Sequence, residues 1–219
     1  MTPAITVTRD RHWISPYFFS VFVALKEKSI PFEIEGLNLH EGAQRRTEYA
    51  KPTVTARVPA LFHREAGGEF VLAESSAIVE YIEDAFPSPE YPAVLPREIH
   101  ERARARQLMA WIRSDDTLPI REHRSTTTMF YAKAKTPLPD AAKAAAEKLV
   151  AVAERVIKGP APLFGAFTIA DADLAFILMR LVMNDDPVPS SVRAYAEHVF
   201  ARPSVKEFVG VERPTFVPY

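Results

Sequence analysis

Four short groups of residues hold most of the chemistry this chain can do. The first is Ser15-Pro16-Tyr17. Serine is a favoured helix N-cap and proline suits the first helical position, so the triplet marks a helix start. Such a start offers unsatisfied N–H groups and a partial positive charge. Ser15 therefore reads either as a plain cap or as a hydroxyl donor to a bound anion. The second group is Arg57-Val58-Pro59-Ala60-Leu61. Proline at the start of an apolar strand is awkward in a sheet. A cis Val58–Pro59 bond would turn the Val58 N–H and C=O outward. Only about 5% of X–Pro bonds in folded proteins are cis, so spacing alone favours trans.

The third group is Glu74-Ser75-Ser76, at another helix start. It reads as simple capping, or as a cradle for an amino acid. In the cradle, Glu74 would take an ammonium, and the Ser75 hydroxyl with nearby N–H groups a carboxylate. The fourth is Thr168-Ile169-Ala170-Asp171 ahead of an apolar run. This is close to a capping box, with aspartate where Glu or Gln is usual, and it reads as structural.

Composition narrows the field. Of 219 residues, 47% are apolar and 25% charged, the balance of an ordinary globular protein. The formal net charge is -1 and no long block of one sign occurs, so no nucleic-acid surface or membrane-binding face is expected. No apolar run approaches the roughly 18 residues of a membrane helix, and no signal peptide is read at the start. The chain has no cysteine, which removes disulfides, thiolate metal sites and any protein thiol nucleophile, and which fits a cytoplasmic location. The six histidines are scattered without metal-ligand spacing, so no metal site is expected. Dinucleotide, P-loop and nucleophile-elbow glycine patterns are missing.

The elements that must carry these groups follow from periodicity. Ala4 to Thr8 reads as a strand and Ser15-Pro16 opens a helix with Phe18, Val21, Phe22 and Leu25 on one face. Pro31 to Leu39 reads as a second strand, and Glu41 to Ala50 as a short helix. Val58 to Phe62 and Glu69 to Leu72 form a hairpin around Ala66-Gly67-Gly68. Glu74 to Phe86 is a helix. The order β-α-β-α-β-β-α implies a four-stranded mixed sheet. Pro87, Pro89, Pro92 and Pro96 then break the chain. Beyond them the pattern is all helix: Ile99 to Ser114, Ala141 to Ile157, Ile169 to Met183, Ser191 to Phe200 and Ser204 to Val209. The division is residues 1–86, a linker at 87–97, and an all-helical domain at 98–219.

Taken in order and spacing, the four groups, the proline-rich linker and Phe167 to Asp173 resemble the glutathione S-transferases over nearly the whole chain. Arg104-Ala105-Arg106-Gln107, Trp111 to Asp115 and Pro119 to Glu122 look like a bacterial branch typified by the enterobacterial YfcF protein.

The resemblance implies a thioredoxin-like α/β domain that binds glutathione, followed by an all-α helical bundle that completes an electrophile pocket. Glutathione would be a cosubstrate, with no cofactor bound permanently. The Val58 backbone would pair with its cysteinyl unit, with Pro59 cis. Glu74 and Ser75 would hold its γ-glutamyl end, and Gln44, with His40 and Arg57 as further candidates, its glycine carboxylate. Ser15 would hold the sulfur as a thiolate, with Tyr17 a second candidate for that role. Trp13, Tyr17, Phe18, Trp111 and Arg113 would line the pocket for a hydrophobic electrophile or an organic hydroperoxide. The resemblance also implies a homodimer through Ser76 to Glu83 and Glu101 to Asp115. Two rivals stand beside the transferase: a non-catalytic binding or regulatory protein on this fold, and a glutathione-dependent lyase or dehalogenase.

Overall fold

The computed structural model describes residues 4–216. The outermost residues of the two domains expected from the sequence, 1–3 and 217–219, lie outside them. The chain divides into two compact units: residues up to Ala93 together with the tail from Gly210, and Val94–Val209.

The first unit is a mixed sheet with helices. Its strands are β1 (Ile5–Asp10), β2 (Phe32–Leu37), β3 (Ala60–Glu65) and β4 (Gly68–Ala73), in the spatial order β2-β1-β3-β4. β1 runs parallel to β2 and antiparallel to β3, and β3 pairs antiparallel with β4. Three helices join them: α1 (Pro16–Glu27), α2 (Thr47–Thr53) and α3 (Ser75–Ala85). A 3₁₀ turn at Ala43–Arg45 precedes α2, so the short helix expected at Glu41 to Ala50 is split in two.

β1 is buried on both sides, as a central strand must be: Ile5 and Val7 on one side, Thr8 and Asp10 on the other. α1 is buried from Phe18 to Leu25 without interruption. It forms because Ser15 caps it and Pro16 is preset for its first turn. It ends where Ser29 takes a left-handed conformation (φ 56°) and Ile30 N–H returns to the Leu25 carbonyl at 3.0 Å. Just before that stop lies Lys28. Its ammonium donates to the carbonyls of Phe86 (2.8 Å) and Pro92 (2.9 Å) and pairs with Glu83 (2.9 Å). This buried knot ties the start of the proline-rich segment to the sheet unit. The Val58–Pro59 and Ser88–Pro89 bonds are both cis.

The second unit is all helix: α4 (Ile99–Ile112), α5 (Leu118–His123), α6 (Thr126–Phe130), α7 (Asp140–Val156), α8 (Ile169–Val182), α9 (Ser190–Phe200) and α10 (Pro203–Val209), with a 3₁₀ turn at Asp115–Thr117. α8 is buried at every residue. Its N-terminus carries the capping box read from the sequence, and Asp171 does more than the motif requires. Its carboxylate accepts from Thr168 N (2.9 Å), Thr168 Oγ1 (2.9 Å), Leu163 N (2.8 Å) and Tyr195 OH (2.7 Å). Burial, then the Asp171 charge, push the Tyr195 hydroxyl far above its ordinary pKa, so it stays a donor. α5 and α6 were not expected. They are five or six residues long, too short to show a 3.6-residue period.

Residues 210–216 group with the sheet unit. Arg213 Nε donates to the Trp13 carbonyl (3.2 Å), and the Phe216 ring meets His12 edge-on at 5.5 Å.

Candidate functional site

The register of the sheet brings Ser15, Val58-Pro59, Glu74-Ser75 and the turn bearing Gln44 to one end of it. Thr8 is next after Val7, which pairs with Leu61, so the end of β1 and the start of β3 face each other. Ala60 pairs with Ala73, so the residues before β3 and after β4 are neighbours too. Asp10 pairs with Leu37, which brings the end of β2 to the same edge. Ser15 follows β1, Val58-Pro59 precede β3, Glu74-Ser75 follow β4, and the turn bearing Gln44 follows β2. Four distant chain segments thus converge, which is how open α/β sheets build ligand sites.

Each segment is held by a distinct device. Ser15 Oγ accepts from Phe18 N–H at 3.2 Å. Its lone pair serves the helix, which leaves its own proton to be donated elsewhere. The loop before it, residues 11–15, is folded around Asp10, which is only 2% exposed. The Asp10 carboxylate accepts from His12 N (3.0 Å), Ile14 N (3.2 and 3.3 Å) and Ser15 N (3.0 Å). Outside the loop, the Arg9 guanidinium lies 4.2 Å over the Trp13 ring.

Buried hydroxyls bracket the Val58-Pro59 segment. Tyr49 OH donates to the Arg57 carbonyl (2.7 Å), and Thr8 Oγ1 accepts from Ala60 N–H (2.9 Å). The two hydroxyls also bond each other at 2.8 Å. Burial pushes the Tyr49 hydroxyl up from 10.0 to about 12, against the opposing effect of the Thr8 bond. Its folded value is raised, so its contribution is complete below the unfolded value and is lost as pH rises toward the folded one. Stability should therefore fall between pH 10 and about 12. Tyr195 adds to this in the same direction. Unfolding midpoints measured across that range should decline less in Tyr49→Phe than in the native chain; parallel declines would remove Tyr49 from the account.

Glu74 sits at the N-cap of α3 with φ 70° and ψ 112°, a conformation L-residues rarely adopt. Its exposed carboxylate caps no amide of the helix. Ser75 behind it is buried. Gln44 lies in the 3₁₀ turn, entered through Gly42 at φ 72°. Its side-chain oxygen is buried and accepts no hydrogen bond among the described residues. The Arg57 side chain is exposed.

The aromatic residues are placed less as expected. Phe18 is fully buried against Trp13 and Phe22, at ring distances of 5.4 and 5.9 Å. It is core, and cannot line a pocket. Trp13 is half-buried between those rings and Arg9. Tyr17 is 36% exposed beside Ser15. Trp111 and Arg113 belong to the helical unit. Trp111 Nε1 donates to Asp116 (2.8 Å), and Arg113 pairs with Asp173 (2.6 Å) and donates to the Met109 carbonyl (3.0 Å). Those bonds anchor Arg113 within its own unit. Among the described residues no group of three or more His, Asp or Glu is placed to hold a metal ion, and no helix is long and apolar enough to cross a membrane.

Residues 14–85 match the family described as "Glutathione S-transferase, N-terminal domain", and residues 98–213 match "Glutathione S-transferase, C-terminal domain". The chain belongs to the glutathione S-transferase family. A glutathione transferase homologue of Burkholderia gl BGR1, solved with bound glutathione, is 38% identical, with a TM-score of 0.74 and coverage of 96% of this chain and 97% of that one. Among curated relatives, glutathione S-transferase theta-3 of Mus musculus is 33% identical over 92 residues, which is 42% of this chain and 36% of that protein. Maleylacetoacetate isomerase of Dictyostelium discoideum is 37% identical over 106 residues, 48% of this chain and 45% of that protein. These matches span less than half the length of the curated relatives. As a glutathione S-transferase, the chain has the thioredoxin-like sheet unit and helical unit that its sequence implied.

Asp10, Thr8 and Tyr49 were not singled out from the sequence. Asp10 leaves one legible trace: an acidic residue closing a strand of Ile, Val and Thr, just before a loop that needs amide acceptors.

Proposed function

We propose that this chain is a glutathione transferase in which Ser15 holds the glutathione sulfur as a thiolate. The observation that carries this is the Ser15 hydroxyl: its oxygen is occupied by the Phe18 amide, so its proton is available to a ligand at the mouth of α1. A free thiol, with a pKa of about 8.5, is only a few per cent ionised at neutral pH. A donated hydrogen bond and a helix N-terminus both favour the anion.

The rest of the sheet end supports the same ligand. The Val58 backbone would pair with the cysteinyl unit. Glu74 and Ser75 would take the γ-glutamyl ammonium and carboxylate. Gln44 would donate its side-chain NH2 to the glycine carboxylate together with Arg57, while its buried oxygen, unpartnered among the described residues, would accept the glycine N–H. The thiol proton leaves to solvent, the sulfur attacks a hydrophobic electrophile, and a sulfur–carbon bond forms as the leaving group departs with its electron pair. With an organic hydroperoxide, the sulfur attacks the terminal oxygen and an alcohol leaves; a second glutathione then closes the disulfide and releases water. Ser15-Pro16-Tyr17 departs from the Ser-Ser-Cys of zeta-like isomerases, which favours transfer over isomerisation. We further assign the chain to the YfcF-like branch, on Arg104 to Gln107 and Trp111 to Asp115, and to the cytoplasm as a homodimer.

Glu74 provides the test of binding. Glycine takes φ 70° without the strain that an L-residue bears, a relief of about 1 kcal/mol. It also deletes the carboxylate. Glu74→Gly should therefore unfold at the same temperature or higher, yet lose retention on immobilised glutathione. A variant retained like the native chain would sink the proposed role of Glu74, and native protein that ignores the resin would sink the function.

A further inference from the structure

We propose that Asp10 is a positioning residue for Ser15: its buried carboxylate gathers the loop amides and thereby fixes the hydroxyl that meets the glutathione sulfur. The proposal rests on the reading of Ser15 as the thiol-activating group.

The loop has five amides, and all five are accounted for. Arg11 N–H returns to the Leu37 carbonyl at 3.0 Å. The other four converge on Asp10: Trp13 N–H on its main-chain oxygen (3.3 Å), and those of His12, Ile14 and Ser15 on its carboxylate. Residue 15 itself is therefore held through its own backbone nitrogen, one residue from where α1 begins. The loop has no regular structure; beyond Asp10 it is held by the Arg213 bond to the Trp13 carbonyl and the packing of the Trp13 ring, and Trp13 adopts φ 55°. A residue in that conformation persists only where its surroundings over-determine it. Three amides converging on one buried carboxylate over-determine where residue 15 sits. These amides point inward at Asp10, so they are not the donors that meet a ligand. Asp10 acts on the sulfur only through where it puts Ser15.

Asp10→Asn keeps the volume but replaces one acceptor oxygen with a donor. At least one loop amide then faces an N–H group and must move. A displacement of about 1 Å at a catalytic group can lower turnover up to about a hundredfold. The test uses the full chain as Asp10→Asn, Ser15→Ala and the double variant, with Asp10→Glu made alongside should the first fold poorly. Two quantities are read for each: kcat against KM for glutathione, and the pH midpoint of the ultraviolet thiolate absorbance of bound glutathione. Asp10→Asn should lower kcat by about tenfold or more and raise the midpoint, with KM nearly unchanged. In the Ser15→Ala background it should change neither. A melting temperature that falls while midpoint and kcat stay put overturns the proposal and leaves a structural role. So does a double variant that shows both losses in full. A Ser15→Ala midpoint equal to native overturns the reading of Ser15 itself, and this proposal with it.

Discussion

Ser15→Ala should lower glutathione-dependent turnover by about two orders of magnitude while the protein still binds immobilised glutathione. Two effects combine. The hydroxyl bond shifts the thiol toward its anion, and each pKa unit is about 1.4 kcal/mol, or tenfold in the thiolate fraction while that fraction is small. The bond also fixes where the sulfur points, and orientation contributes at least a further factor of about ten. Retention on the resin should survive, because the proposed contacts at Val58, Glu74, Ser75 and Gln44 lie on other segments. The substitution also removes the cap of α1, at about 1 kcal/mol of stability, so the comparison needs a control. Ser15→Thr keeps both hydroxyl and cap and should keep most of the activity. Turnover of Ser15→Ala within a factor of about two of native would leave the thiol without its proposed activator.

Lys28→Met should cost about 3–5 kcal/mol of stability, the range for breaking a buried ion pair. The Lys28 side chain is 0% exposed and that of Glu83 5%. An ammonium has three N–H donors, and here each has one acceptor: Glu83, Phe86 O and Pro92 O. Methionine fills similar space but takes the cation away from the Glu83 carboxylate and the donors away from two carbonyls. Adding Glu83→Gln removes that buried charge and should recover part of the loss, while the two carbonyls still lack the ammonium. Urea unfolding of the native chain, Lys28→Met, Glu83→Gln and the double variant measures this directly. A single-variant loss below about 1 kcal/mol would mean that water reaches the pair.

The same lysine shows where sequence reading stops. Glu27-Lys28-Ser29 reads as a polar helix end, since lysine is rarely buried. Only the return of Phe86 and Pro92 to that spot, some sixty residues later, makes burial favourable. What was legible rests on local rules. The Ser15-Pro16 cap and the Thr168–Asp171 box are each set within four residues, and both start helices where expected. The element order and the four-stranded mixed sheet followed from the alternation of elements. Phe18 was named for the pocket on the resemblance alone, while its helical spacing with Val21, Phe22 and Leu25 marked the buried face that the structure shows. Asp10 and Tyr49 escaped because their partners are backbone groups, which no side-chain motif records. The proposed site is thus legible as four fragments. Their meeting at one sheet end is a product of register.

The tail carries a consequence for how the protein is made. Translation delivers Ile5 to Ala93 first, and all the helices from α4 onward follow before Arg213 leaves the ribosome. The sheet unit must therefore wait through the synthesis of another whole unit for the piece that braces the Trp13 carbonyl. A nascent chain halted at Ala93 should already have paired strands and the loop held by Asp10, yet lack the brace at the Trp13 carbonyl, so protease should cut the β1–α1 connection faster than in the longer chain. The chemistry proposed at Ser15 would then gain this support only after the helical unit is made.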